Sequence, residues 1–321
     1  MPINRRYAAF AWVALAYNVL VILWGAYVRA TGSGAGCGSH WPLCNGAVVP
    51  HAAALETVVE FSHRLTSGLS LVLIAVLIVW GFRVFKAGSP ARKALVAAGV
   101  FIILEALIGA WLVLAGLTAD NDSIARAISM ALHLINTFLL LAALALTAWW
   151  ASGGESIRLR GQGLLVLGWF LALFATIIVG MSGAVTALGD TLFPSASLVE
   201  GFRADFSPTA HILIRARVLH PAIAVGSAVF AVLLGRLIAA KRPDPRTQTF
   251  STIQISLFIV QVFAGALNVA LLAPVWMQLI HLGLAVSVWL ALILLGASAF
   301  AAREAAPSVK PHAALAGPAA R

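Results

Sequence analysis

Residues 162–186 read QGLLVLGWFLALFATIIVGMSGAVT, with no charged side chain between Gln162 and Thr186. As an α-helix rising about 1.5 Å per residue, this run extends roughly 37 Å, more than the roughly 30 Å of hydrocarbon in a bilayer. It lacks the period-two alternation of a barrel strand, so its backbone must be satisfied within the segment as a helix. Seven more such runs lie at about 8–30, 57–82, 94–117, 125–151, 209–239, 248–271 and 275–301. Composition agrees: 61% of the 321 residues are hydrophobic and 10% charged, where soluble domains carry about 25% charged residues. The fold class is an all-α integral membrane protein with eight transmembrane helices.

The formal charge is +10, which in a soluble chain would suggest a nucleic-acid partner. Its placement gives another reason. The segments 1–7, 83–93, 152–161, 236–247 and 302–321 hold 15 of the 21 Lys and Arg residues, and the opposite face holds seven of the 11 acids. The positive-inside rule then puts both termini in the cytoplasm, and no nucleic acid is needed. The run after Arg5 and Arg6 exceeds a signal peptide's apolar core of 7–15 residues and is expected to be retained as a span. Too few residues precede it for a mitochondrial transit peptide, which points to a bacterial plasma (inner) membrane. Residues 302–321, rich in Ala and Pro, are expected to form a disordered cytoplasmic tail.

The two halves of the chain echo each other. EALIGAWLVL, opening at Glu105, resembles QVFAGALNVA, opening at Gln261; each is followed by a Met and a His, Met130 and His133 or Met277 and His281. Gly25 precedes His63 by 38 residues, and Gly183 precedes His220 by 37. Each repeat has an even number of spans, so both halves enter the membrane in the same direction. This predicts two four-helix bundles, residues 1–151 and 152–301, related by an axis along the membrane normal.

His63, His133, His220 and His281 fall within spans, roughly 9, 12, 16 and 9 Å from the outer helix ends at 1.5 Å per residue. An imidazole in the membrane is costly unless partnered, and four at repeat-related positions point to a site. Two histidines on alternate helices of one bundle can ligate a metal from opposite sides, most commonly a haem iron; zinc or copper would draw on more ligands. His40, His51, His211 and His312 carry less information.

Glu60, His63 and Arg64 share a helix face. Glu60 either pairs with Arg64 or serves as a buried proton carrier. Arg64, Arg215 and Arg217, near the histidines on the outer side, are candidate contacts for haem propionates or anchors of helix ends. Glu105 falls near the middle of its span; the neutral Gln261 at the matching position favours packing or hydrogen bonding over chemistry. Cys37 and Cys44 sit in an outward-facing loop, where they can form a disulfide, as a staple or as a redox couple.

Together these residues resemble the haem A synthase family. The resemblance covers nearly the whole chain: GAYVRATGSG from Gly25 to Gly34, Cys37, then WPLC ending at Cys44, Glu60-Phe61-Ser62-His63-Arg64, and the histidines at 133, 220 and 281. It implies an oxidoreductase that converts the C8 methyl of haem O to the formyl of haem A by successive hydroxylations, for cytochrome oxidase assembly. It further implies a haem B cofactor held by His220 and His281, in the half at 152–301. His63 and His133 would face the substrate haem O in the half at 1–151, with Glu60 as acid/base group or stabiliser of a developing cation. All four histidines are then candidate axial ligands to haem iron. The implied partners are a haem O synthase that delivers substrate, an electron acceptor or donor and the lipid bilayer, with homo-oligomerisation left open. Two features depart from the family pattern: residues 187–208 lack a second cysteine pair, and His40 stands where an acidic residue often precedes Trp-Pro. The alternative is a bis-haem b electron carrier between quinol and a periplasmic partner. A transporter, suggested by the repeat alone, lacks paired Gly/Pro interruptions at mid-membrane.

Overall fold

The computed structural model describes residues 4–51 and 54–301; the tail at 302–321, with His312, lies outside them. The described residues form ten α-helices: α1 Arg5–Ala30, α2 Leu55–Val84, α3 Pro90–Leu114, α4 Ile124–Ala151, α5 Leu164–Leu192, α6 Leu198–Asp205, α7 Ile212–Arg215, α8 Leu219–Lys241, α9 Pro245–Ala270 and α10 Val275–Ala299. With α7 and α8 counted as one run, eight are long and apolar enough to cross a membrane. Among the described residues there is no strand beyond two isolated bridges.

Capping sets the helix starts. Asn4, Ser89, Ser123 and Asp244 each accept a backbone N–H of the first turn, satisfying donors that have no partner within the helix. Pro90 and Pro245 take the first helical position, where a missing N–H costs nothing. The sixth span differs from the single helix expected over 209–239. A 3₁₀ turn at Ala216–Val218 separates α7 from α8. Pro221, two residues into α8, cannot donate to a preceding carbonyl and crowds that of Arg217, so the helix tightens there. The short α6 was also not anticipated; Ser197 Oγ caps it by accepting from Glu200 N at 3.2 Å.

Each of the two halves packs its spans in the same order. α1 lies against α2 and α4, α2 against α3, and α3 against α4; α5 lies against α8 and α10, α8 against α9, and α9 against α10. Across the seam α4 meets α5 and α10, while α1 meets α10 and α5. Small residues allow this closeness: Ala11, Ala14, Ala98, Ala145 and Ala148 are buried, as expected where lipid gives helices no hydrophobic reason to associate. At the seam Phe138 stacks on Trp289 with ring centroids 4.9 Å apart, and the Trp289 indole N–H donates to the Phe138 carbonyl at 2.7 Å. At the basic end, Arg158 N donates to Phe300 O at 2.8 Å and Trp12 Nε1 to Ser152 Oγ at 3.0 Å. These contacts bring the α4–α5 loop, the start of α1 and the end of α10 to one end of the bundle.

Candidate functional site

The four intramembrane histidines lie at similar heights. Counted from the helix starts at Leu55, Ile124, Ile212 and Val275, they are roughly 12, 13, 12 and 9 Å along at 1.5 Å per residue. In the second half, His220 of α8 and His281 of α10 face one another, with ring centroids 6.4 Å apart and planes at 88°. Two imidazoles sharing one metal through bonds of about 2 Å place their ring centres roughly 6 Å apart. Both rings rest on helix glycines: a Cβ at Gly183 of α5 would lie 3.0 Å from His220 Cε1, and one at Gly265 of α9 3.0 Å from His281 Cε1. Ser182 Oγ is 3.0 Å from His220 Nδ1, which leaves Nε2 for a ligand. His281 Nδ1 is buried without a hydrogen-bond partner, as is Gln261 Oε1.

The first half repeats part of this arrangement. A Cβ at Gly25 of α1 would lie 2.8 Å from His63 Cε1, and His63 Nδ1 is buried without a partner. Gly109, the match of Gly265 in the repeated segment, touches nothing that a Cβ would meet. His133 is held instead by a carboxylate: its Nδ1 lies 3.1 Å from Glu105 Oε1. The N–H is angled off the line between the two atoms and makes no linear hydrogen bond as the ring stands. Glu105 also accepts from Thr137 Oγ1 at 2.5 Å and from Asn136 Nδ2. No group of three or more His, Cys, Asp or Glu side chains suited to a bare metal occurs among the described residues. The donor sets are paired imidazoles, which suit an iron whose other ligands come from a macrocycle. The residues present fit haem in the second half by the facing rings, their glycine seats and the orphaned nitrogen.

Glu60 is buried, 4% exposed, and both of its oxygens are engaged. Oε1 pairs with Arg64 at 2.5 Å and Oε2 accepts Cys37 N at 2.8 Å. Arg64 Nη1 donates onward to the carbonyls of His40 and Leu43, each at 2.7 Å. The pair thus anchors the loop between α1 and α2, whose cysteines are joined in a disulfide and buried at 0% and 1% exposure. The second half does the corresponding work with charges reversed. Arg217, which precedes His220 as Glu60 precedes His63, pairs with Asp190 at 3.0 Å and Asp205 at 3.2 Å. Burial pushes the Asp205 carboxyl above the ordinary range, against the pull of Arg217. Of the three arginines expected near propionates, Arg64 and Arg217 are committed to these clusters. Arg215 is exposed, with no polar partner among the described residues. His211 caps α7, its Nδ1 accepting from Leu213 N at 3.3 Å.

Two residues that the sequence did not single out for a site join the halves or the shell. Arg29 reaches from α1 into the second half, donating to Ala187 O at 2.6 Å, Thr191 Oγ1 at 2.8 Å and Gln278 Oε1 at 2.8 Å. Asn136 bridges Glu105 and the Phe101 carbonyl, the latter at 2.9 Å. Its spacing of three residues from His133 is the available signal.

A family model described as cytochrome oxidase assembly protein, COX15-CtaA, matches residues 8–293. The chain belongs to the COX15-CtaA family. A Thermus thermophilus protein named protoheme IX farnesyltransferase is 54% identical over 281 residues, 88% of this chain and 46% of that protein. The heme A synthase of Alkalihalophilus pseudofirmus is 39% identical over 113 residues, 35% of this chain and 38% of the relative. That of Bacillus cereus is 40% identical over 102 residues, 31% and 33% of the two chains. The chain thus spans under half the length of these curated relatives. The matched region includes His63, His133, His220 and His281.

Proposed function

We propose that this COX15-CtaA member is a haem A synthase of a bacterial inner membrane, oxidising the C8 methyl of haem O to a formyl group. The observation that carries the reading is the pair of repeat-related histidine sites with unlike surroundings. His220 and His281 face each other as a simple bis-imidazole pair. His133 has the carboxylate of Glu105 beside it, and Glu60 lies three residues before His63 on the same helix, paired with Arg64. On this reading residues 152–301 hold haem B and residues 1–151 take the substrate, with both sites in the outer half of the membrane and both termini cytoplasmic. The repeated order of helix neighbours supports a pseudo-twofold relation along the membrane normal.

His220 and His281 would hold haem B, which when bound supplies one-electron chemistry and a route for electrons. Methyl to formyl removes two electron pairs and adds one oxygen atom; with water supplying the oxygen, four protons are released and a partner must accept both electron pairs. His63 and His133 orient the substrate haem between α2 and α4. Glu60, already an acceptor at both oxygens, is better placed to stabilise positive charge developing near the methyl carbon than to shuttle a proton. It also holds the disulfide loop over that end of the site, and Arg215, with no polar partner among the described residues, is available to a propionate.

The name of the Thermus relative raises prenyl transfer as a second reading. Magnesium at such a site is held by carboxylates and substrate phosphates, and the described residues show no clustered acids of that kind. More than half of that relative lies outside the match. The test of the oxidase reading is a pair of variants, Glu60→Ala and His63→Ala, in membranes supplied with haem O. Haem A should disappear while bound haem B persists; loss of haem B in either variant would overturn the assignment of the halves.

A further inference from the structure

We propose that Glu105 is a positioning residue of the first-half site, accepting the Nδ1 proton of His133 and so reserving Nε2 for an iron. The proposal rests on reading that half as a haem site. A histidine that ligates a metal presents one nitrogen, and a partner on the other sets the tautomer and the ring orientation. Glu105 is the carboxylate within reach, 3.1 Å from Nδ1. It is itself oriented: Thr137 Oγ1 donates to Oε1, Asn136 Nδ2 donates to Oε2, and Asn136 is tied back to α3 through the Phe101 carbonyl. These contacts cross from α3 to α4.

The second half lacks this device. Gln261 occupies the repeat-related position, and its Nε2 lies 3.3 Å from His281 Nε2. That contact is with the other ring nitrogen, and His281 Nδ1 has no partner, so in this half no carboxylate accepts a proton from the ring or adds electron density to it. Glu105 therefore makes His133 a stronger donor than His281, and an iron bound by His133 is held further toward its oxidised state. The two sites then differ in potential as well as in their neighbours, with the first-half site the lower of the two.

The test uses the full chain in detergent with His281→Ala added to silence the second-half site, titrated with haemin as the probe. Glu105→Ala should weaken haemin binding by about 10–100-fold, the usual loss when an outer-shell partner is removed. Glu105→Gln, which restores an acceptor without the charge, should bind more nearly as the parent does but show a higher reduction potential. Removal of a purely structural hydrogen bond would lower the melting temperature without moving that potential. Unchanged affinity and potential in both variants would overturn the positioning role while leaving the haem site intact. Should the His281→Ala parent take up no haemin that His133→Ala abolishes, the first-half reading fails and this proposal fails with it.

Discussion

The glycine seats give a sharp test of the histidine sites, because alanine adds one methyl group and little else. At Gly183 and Gly265 that carbon would stand 3.0 Å from the Cε1 atoms of His220 and His281. Carbon atoms pack best at about 3.5–4.0 Å, so each ring must retreat by roughly half an ångström to an ångström. Metal–imidazole bonds tolerate only about 0.2 Å. Overpacking of this kind costs about 1–3 kcal/mol, which is roughly 5–150-fold in a binding constant. The expected result is haem B binding weakened by that factor in Gly183→Ala and Gly265→Ala, read by titrating the purified protein and following the absorbance of the low-spin haem. Gly109→Ala is the control, since nothing lies within 4 Å of its added carbon. Mid-helix Gly to Ala raises helix propensity by about 0.8–1.0 kcal/mol, so weaker binding would not reflect a weaker helix. Wild-type affinity in both seat variants, or equal loss in Gly109→Ala, would refute the reasoning.

The remaining predictions concern the shell around the sites. Replacing Cys37 and Cys44 by Ser should lower stability by about 2.5 kcal/mol at most, the loop-entropy value for a short loop, while haem A formation survives. Abolished turnover in a folded Cys37→Ser/Cys44→Ser protein would instead identify a working thiol couple. Arg29→Ala removes three charge-assisted hydrogen bonds between the halves and should cost at least about 3 kcal/mol, since each such bond is worth about 1.5–3 kcal/mol; a thermal melt in detergent checks this, and an unchanged melt would contradict it. Arg64→Gln removes the ties to the His40 and Leu43 carbonyls and should loosen the loop, making the 40–46 segment more open to protease. Arg215→Gln should weaken haem binding without lowering the melting temperature, whereas Arg217→Gln should lower the melting temperature because it strands Asp190 and Asp205.

The eight spans were legible because a membrane helix is written in one property, apolar length, and each half supplied four such runs. The Glu60–Arg64 pair was legible as well, since residues four apart share a helix face. Where Arg64 sends its other donors was not, because the carbonyls of His40 and Leu43 belong to a loop that only folding brings near. The break before α8 had a signal in Pro221, and α6 had one in the Ser197…Glu200 spacing that marks a capped start. Both were masked by reading the region for hydropathy alone. The role of Glu105 was hidden more deeply. Its repeat mate Gln261 suggests packing or hydrogen bonding without naming a partner, and only the approach of α3 to α4 shows that His133 is what it faces. Arg29 gives no sequence signal of its partners, because they lie in the other half of the chain.

The central claim is the oxidation of haem O, tested most directly by extracting haems from bacterial membranes that contain this protein together with a haem O synthase and separating them by chromatography. The account predicts haem A or its hydroxylated intermediate, absent when His63 is replaced by Ala. Haem O accumulating unchanged, with two haem B held by the purified protein, would contradict it and favour an electron carrier.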